Sequence, residues 1–163
     1  ANGTLVGPMS KDSFVENPGK QINSSMETTL TLYFASKDGT ELVGEKRTVH
    51  YSTNISMEKL VMEQLIEGPK RSNTMSTVPP NTNLITVSVV DGVCYVNVSD
   101  SISVQKAEVN EEIVLYSIVN SLTEIPGVTK VQIAINGSTE GKLRYTFDLS
   151  KMYERDLKYL KED

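Results

Sequence analysis

Few side chains in this sequence could perform nucleophilic or acid–base chemistry. His50 is the only histidine and Cys94 the only cysteine among the 163 residues. A histidine-rich metal site and an intrachain disulfide are therefore excluded, and a serine–histidine pair would need His50 itself. His50 lies on a predicted edge strand, which favours a solvated side chain. Cys94 lies in the apolar run 93–96, which favours a small buried side chain over a nucleophile.

Three further patterns could hold a ligand, and each has a simpler structural explanation. Three glutamates cluster near a predicted helix start: Glu108, Glu111 and Glu112. Carboxylates there are stabilised by the helix dipole and need no metal. Asp91 and Gly92 have the residue types of a two-residue turn. The Gly-rich run 137–141 lacks the lysine and the following helix of a phosphate-binding loop. The sequence therefore predicts no catalytic residue, no metal site and no cofactor.

Two tyrosines provide the candidate interaction surface. A tyrosine offers an apolar ring and a polar hydroxyl, which suits contact with a partner or stacking on a sugar ring. Tyr33 alternates with the apolar Leu32 and Phe34, and Tyr95 lies on a second predicted strand. Period-2 geometry places both tyrosines on the exposed face of the sheet. The alternative is an ordinary solvated sheet with scattered aromatic residues.

The elements that position these residues follow from turn and helix signals. A strand from about Thr29 and a weaker strand around 46–51 form an opening hairpin. Ser56 caps a first helix, which Gly68-Pro69 ends. Asp91-Gly92 joins the strands 84–90 and 93–98 in a type I′ hairpin. The remaining predictions are a helix over 110–123 with Asn110 as N-cap, a strand over 128–135, an edge strand over 142–147 and a short charged helix over 150–160.

The alternation of apolar residues predicts the architecture. Nine apolar residues share one face of three strands: Leu30, Leu32, Phe34, Ile85, Val87, Val89, Val131, Ile133 and Ile135. Two amphipathic helices can cover such a face while the other face meets water. We predict an α+β fold, a two-layer sandwich with a mixed or antiparallel sheet and two helices packed on one face. The predicted divisions are a linker or stalk over 1–27, one domain over 28–149 and a charged helix or tail over 150–163.

Charge and hydropathy exclude two classes of partner. Sixteen basic and twenty-one acidic residues give a formal net charge of −5. The charges are scattered and form no basic stripe for nucleic acid. No apolar run approaches the roughly 20 residues needed to cross a bilayer. Contact with a membrane is therefore expected only through an anchor outside this sequence.

Several segments, taken in order, identify a family. They are Leu32-Tyr33-Phe34, Glu45-Lys46-Arg47, Leu65-Ile66-Glu67-Gly68-Pro69-Lys70, Val78-Pro79-Pro80-Asn81-Thr82, the hairpin from Val87 to Val96, and the second helix with its exit turn from Leu115 to Val128. This order resembles the GerMN (spore germination protein GerM-type) domain, over about Thr29 to Phe147. The protein that names the family resembles a tandem of two such domains, whereas this sequence contains one.

The resemblance implies an extracytoplasmic protein of the bacterial cell envelope, commonly a lipoprotein or membrane-tethered, linked to sporulation and spore germination. It supplies no catalytic residues. The implied partners are envelope proteins or peptidoglycan. Because the domain is similar to the ring-building modules of sporulation secretion complexes, a homo-oligomer is also implied.

Three functional hypotheses follow. The first is a non-catalytic envelope module that binds a partner or takes part in assembly. The second is a peptidoglycan- or cortex-active enzyme, or its glycan-binding accessory, and the enzyme would need paired carboxylates with different environments in a cleft. The third is a ring-forming structural subunit, which would need a self-complementary or head-to-tail surface.

Overall fold

The computed structural model describes residues 25–103 and 108–162. The chain forms two compact units. In their described parts, the smaller unit consists of residues 25–28 and 48–55, and the larger unit of residues 29–47 and 56 onward. The predicted linker lies outside the described residues up to residue 24, and residues 25–27 are the beginning of the first strand rather than linker.

The described residues form strands and helices in the chain order β1 (Ser25–Ser36), β2 (Leu42–Ser52), α1 (Met57–Glu67), β3 (Thr74–Met75), β4 (Leu84–Val90), β5 (Val93–Val98), α2 (Glu111–Leu122), β6 (Lys130–Ile135) and β7 (Tyr153–Glu154). The strands form two sheets, with the orders β2-β1-β3 and β4-β5-β6-β7. In the second sheet β4–β5 and β6–β7 are antiparallel, and β5–β6 is parallel with α2 in the connection. The α+β fold with a mixed sheet and two helices is confirmed.

Both helices begin close to the predicted residues. The Ser56 side chain accepts a hydrogen bond from the Lys59 N–H, and Gly68 ends α1 at a φ of 99° that favours glycine. Asn110 occupies the N-cap position of α2, but its side chain makes no capping hydrogen bond. Helix α1 packs against β4 and α2, while α2 also packs against β6 and β7. No described helix is long and apolar enough to cross a membrane.

The β4–β5 hairpin forms around the predicted turn. Asp91 and Gly92 have φ values of 50° and 81°, and both are positive as a type I′ turn requires. Along β5 the alternate residues Cys94, Val96 and Val98 are buried. This strand therefore has the predicted alternation between a core face and an outer face.

Strand β4 is less buried than its apolar sequence predicts. Ile85 and Val89 were expected to face the core, yet they are 48% and 36% exposed. Strand β4 is the outermost strand of its sheet, so its core-side residues lie at the margin of the core. An irregularity between Leu84 and Thr86 also shifts the register with β5, so simple alternation fails at Ile85.

Two predicted elements near the C-terminus are wrong. Residues 142–147 form no strand, because the N–H groups of 144–147 converge on a buried carboxylate described below. Residues 150–160 form no helix: β7 pairs with Lys130 and Val131 of β6 instead. The backbone beyond β7 then pairs with Leu42, which donates to the Tyr159 carbonyl and accepts from the Lys161 N–H. Hydrogen bonds to distant strands thus replace the intrahelical ones.

Candidate functional site

The sole histidine and the sole cysteine of the sequence, His50 and Cys94, lie in different surroundings. In the described part of the chain, no three His, Cys, Asp or Glu side chains are grouped so that they could hold a metal ion. Exposed His50 lies 3.5 Å from exposed Glu27. Cys94 is fully buried, and burial raises the pKa of its thiol to about 12. A protonated, inaccessible thiol is no nucleophile at neutral pH. The predicted buried setting of Cys94 is confirmed.

The prediction that Tyr33 lies on an exposed sheet face is wrong. Tyr33 is 5% exposed, and its hydroxyl donates to Glu124 Oε2 at 2.7 Å. Arg155 donates to the same hydroxyl at 2.9 Å and to Glu124 Oε2 at 2.8 Å. Burial, followed by the Glu124 hydrogen bond, raises the pKa of Tyr33. Tyr33 therefore links β1 to the segment after β7 and is not available to a partner.

Tyr95 is at the surface, but on the other sheet. It is 36% exposed on β5, opposite Ser88 of β4 and Gln132 of β6. The structure therefore does not bring Tyr33 and Tyr95 together on one face.

A buried ion pair connects two of the segments that resemble the family, 45–47 and 65–70. Arg47 and Glu45 of β2 are both about 5% exposed or less, and their closest atoms lie 2.5 Å apart. Glu45 Oε1 accepts the N–H groups of Lys70 and Arg71 at 3.0 and 3.1 Å. Arg47 donates to the Gly68 carbonyl at 2.8 Å. The pair thus fixes the loop that follows α1.

A second buried carboxylate, that of Glu111, shapes the loop over 144–147. Glu111 is 7% exposed and accepts four consecutive backbone N–H groups, from Arg144 to Phe147, at 3.0–3.1 Å. Burial opposes ionisation of Glu111, but these hydrogen bonds outweigh it and lower the pKa of the carboxyl. The sequence indicates only an acidic residue near the positive end of the helix dipole. The backbone N–H groups that Glu111 binds lie at least 33 residues away along the chain.

This loop, which we call the Glu111-bound loop (residues 144–147), presents one aromatic side chain to solvent. Tyr145 is 70% exposed, whereas the flanking Leu143 is buried and Phe147 is partly buried. Four hydrogen bonds to one carboxylate restrict the backbone on both sides of Tyr145. A rigid backbone lowers the entropy that an exposed aromatic side chain loses on binding a partner.

The same loop borders a groove. The groove has a volume of about 480 Å³ and is lined by Met75, Ser76, Thr77, Pro79, Pro80, Asn81, Ser101, Glu108, Val109 and Arg144. Arg144 Nη1 donates to the Val109 carbonyl at 2.6 Å. Arg144 Nε is buried without a hydrogen-bond partner in the described structure, and burial lowers the pKa of this guanidinium. We call this surface, together with Tyr145, the Arg144–Tyr145 groove.

The groove combines apolar walls with charged side chains of both signs. Its walls include Pro79, Pro80 and Val109, which offer apolar area. Glu108, which is exposed, and Arg144, which is partly buried, both line the groove, so both signs of charge are present. Arginine and tyrosine are among the residues that contribute most to the binding energy of protein interfaces, and the centre of such interfaces is often apolar. The period-2 pattern indicates Tyr33 and Tyr95 as contact residues but not Tyr145, which the structure places on a loop instead of the predicted strand 142–147.

The fold resembles solved structures of a sporulation protein and of a candidate lipoprotein. The tandem GerMN domains of the sporulation protein GerM from Bacillus subtilis match with a TM-score of 0.66 at 19% identity, over 96% of this chain and 56% of that chain. The first GerMN domain of the same protein matches with a TM-score of 0.58 at 18% identity, over 78% and 98% of the two chains. A candidate lipoprotein from Clostridium perfringens matches with a TM-score of 0.56 at 20% identity, over 83% and 91%.

These likenesses show the fold, and a family model shows the membership. No curated protein sequence matches the chain significantly. The model of the Germane family, described as sporulation and spore germination, matches residues 31–141, which is more than half of the chain. The GerMN resemblance is thereby confirmed, and the chain belongs to the Germane family of sporulation and spore germination.

Proposed function

We propose that this domain is a non-catalytic binding or assembly module of the cell envelope of a spore-forming bacterium, and that it recognises an envelope protein through the Arg144–Tyr145 groove. Family membership supports the link to sporulation and germination. The observation that carries the binding role is the Glu111-bound loop, because one buried carboxylate fixes the backbone that presents Arg144 and Tyr145. Such preorganisation lowers the conformational entropy that the loop loses when it binds a partner.

The buried carboxylates favour binding over hydrolysis. A glycan-cleaving enzyme needs two carboxyl groups whose environments separate their pKa values, with the acid's pKa raised. Glu45 and Glu111 are the buried glutamates of the described residues, and hydrogen bonds lower the pKa of both despite their burial. Their oxygens are occupied by backbone N–H groups and, for Glu45, by Arg47. Neither is placed to protonate a leaving group.

The proposed location of the domain is extracytoplasmic, with the protein anchored to the membrane. The structural likeness to a candidate lipoprotein supports this location. A protein partner is favoured over a glycan because Tyr145 is the one aromatic residue described on this surface and none lines the described groove beside it, which leaves a run of sugar rings little area for stacking.

A retention experiment tests the proposal. The immobilised domain is incubated separately with solubilised envelope protein from sporulating cells and with isolated peptidoglycan. We expect retention of a defined envelope protein, lost in Pro80→Glu, which places a carboxylate on the apolar wall. Pro126→Glu is the matched control, because Pro126 is exposed like Pro80 but does not line the groove. Retention on peptidoglycan alone, or equal retention by both variants, would contradict the proposal.

A further inference from the structure

Strand β4 is an unprotected edge. It is the outermost strand of the β4-β5-β6-β7 sheet, and no described strand pairs with its outer side. Its seven residues, Leu-Ile-Thr-Val-Ser-Val-Val, contain no charge and no proline. Edge strands are usually protected by charged residues, proline or bulges, because their free N–H and C=O groups can pair with another strand. The only such device in β4 is the irregularity between Leu84 and Thr86.

The remainder of β4 is regular. Residues Thr86 to Val90 pair one-to-one with Asn97 to Val93 of β5. This leaves five consecutive residues with an undistorted outer edge. Four of them are exposed apolar or hydroxyl side chains of high β-propensity or small size: Thr86, Ser88, Val89 and Val90.

The regular segment is complementary to itself. When two copies run antiparallel around a two-fold axis at Ser88, Val87 of one copy faces Val89 of the other, and Thr86 faces Val90. Ser88 then faces Ser88. Each apolar residue on the core side meets an apolar residue, the two hydroxyl groups can share a hydrogen bond, and no like charges are opposed. A two-fold interface requires this kind of self-complementary surface.

Exposed residues beside β4 extend the same surface. Val90 is 54% exposed at one end of the strand, and Tyr95 is 36% exposed on the neighbouring β5. Tyr95 lies directly opposite Ser88 in the β4–β5 pair, so it flanks the position of the two-fold axis. Pairing two copies would therefore bring Tyr95 of each copy close to the strand of the other.

We infer that two copies of this domain pair through β4, antiparallel around Ser88, and join their four-stranded sheets into one sheet of eight strands. The partner is a second copy because the segment complements its own sequence residue by residue. This surface is separate from the groove residues, so the inference goes beyond the proposed function. Tyr95, predicted from sequence as a contact residue, acts in this interface.

Mass measured against protein concentration tests the pairing. Analytical ultracentrifugation from about 1 µM to about 1 mM should show a monomer–dimer equilibrium. Ser88→Lys places two ammonium groups opposite each other and should raise the dissociation constant by about tenfold or more. Ser72→Lys, at another exposed serine in a loop, should leave it unchanged. A wild-type monomer throughout, or a dimer insensitive to Ser88→Lys, would overturn the inference.

A disulfide variant decides the matter if Ser88→Lys does not fold. Ser88→Cys should form a covalent dimer under mild oxidation, because the two thiols meet at the two-fold axis, whereas Ser72→Cys should not. Equal cross-linking of both variants, or none with Ser88→Cys, would overturn the pairing. The Pro80→Glu variant should dimerise normally, so failure of the envelope-binding proposal and failure of this inference give different results.

Discussion

Two buried glutamates, Glu45 on β2 and Glu111 at the start of α2, each bind the backbone N–H groups of a loop that is distant in the sequence. Glu45 accepts two N–H groups and uses its other oxygen for Arg47. Glu111 accepts four consecutive N–H groups with its two oxygens. Both carboxyl groups have a lowered pKa despite burial, since these hydrogen bonds stabilise the charged form.

The difference shows how each loop depends on its acid. The loop after α1 is fixed by an ion pair, because Arg47 also binds the Gly68 carbonyl. The Glu111-bound loop is fixed by a single side chain that collects four N–H groups. Removing one charge therefore affects the two loops differently. In the first case a buried charge remains without its partner, and in the second case several backbone donors remain without their acceptor.

The largest expected effect comes from breaking the ion pair. Arg47→Met leaves Glu45 buried without its counter-ion, which typically costs about 3–5 kcal/mol of unfolding free energy. Lys46→Met is the control, because Lys46 is the exposed neighbour on the same strand. Denaturant unfolding at neutral pH measures both. A loss in Arg47→Met no larger than in Lys46→Met would show that the pair does not stabilise this loop.

A somewhat smaller effect is expected from Glu111→Gln. The amide retains one acceptor oxygen but directs an NH₂ group toward backbone donors, so about 2–3 kcal/mol of unfolding free energy should be lost. Glu112→Gln is the matched control, since the next residue of the same helix makes none of these hydrogen bonds. Hydrogen exchange should also become faster at the amides of 144–147 in Glu111→Gln. Unchanged protection there would contradict the role given to Glu111.

The sequence predicts those helices and turns whose ends are set by residues within or next to them. Ser56 and Gly68 delimit α1, and the Asp91-Gly92 turn has the positive φ values that its residue types favour. The spacing of apolar residues predicts helix α2, which begins at Glu111 in the structure. In each case the determining residues lie within or beside the element they define.

Features that depend on distant partners could not be predicted. Tyr33 was placed on an open face by alternation, but β1 is buried continuously from Leu32 to Ser36. Both faces are covered there, so alternation cannot distinguish inside from outside. The loop over 144–147 was predicted as a strand, because nothing nearby indicates that Glu111 collects its N–H groups. The groove beside it was consequently missed.

The lowered pKa values predict a loss of stability in acid. A carboxyl whose pKa is lower in the folded state contributes stability above its unfolded pKa of about 4.3, and loses it as the pH falls through the folded pKa. Wild-type protein should therefore lose more unfolding free energy than Glu111→Gln between neutral pH and about pH 3. Unfolding curves across this range measure the difference. If the difference in unfolding free energy between the wild type and Glu111→Gln stayed constant with pH, the lowered pKa given to Glu111 would be contradicted.

The smallest effect on stability, and the largest on binding, is expected at Tyr145. Tyr145 is 70% exposed, so Tyr145→Ala should change the unfolding free energy by no more than about 0.5 kcal/mol. Tyr95→Ala is the matched control, because it removes an exposed tyrosine from the β4–β5 surface instead.

The most direct test of the account is the affinity of these two variants for the envelope protein retained by the wild-type domain. We expect Tyr145→Ala to weaken binding by about tenfold or more, as removal of an aromatic contact residue does, while Tyr95→Ala binds that partner as the wild type does. Equal affinities of the wild type and Tyr145→Ala would show that the Glu111-bound loop does not form the binding site.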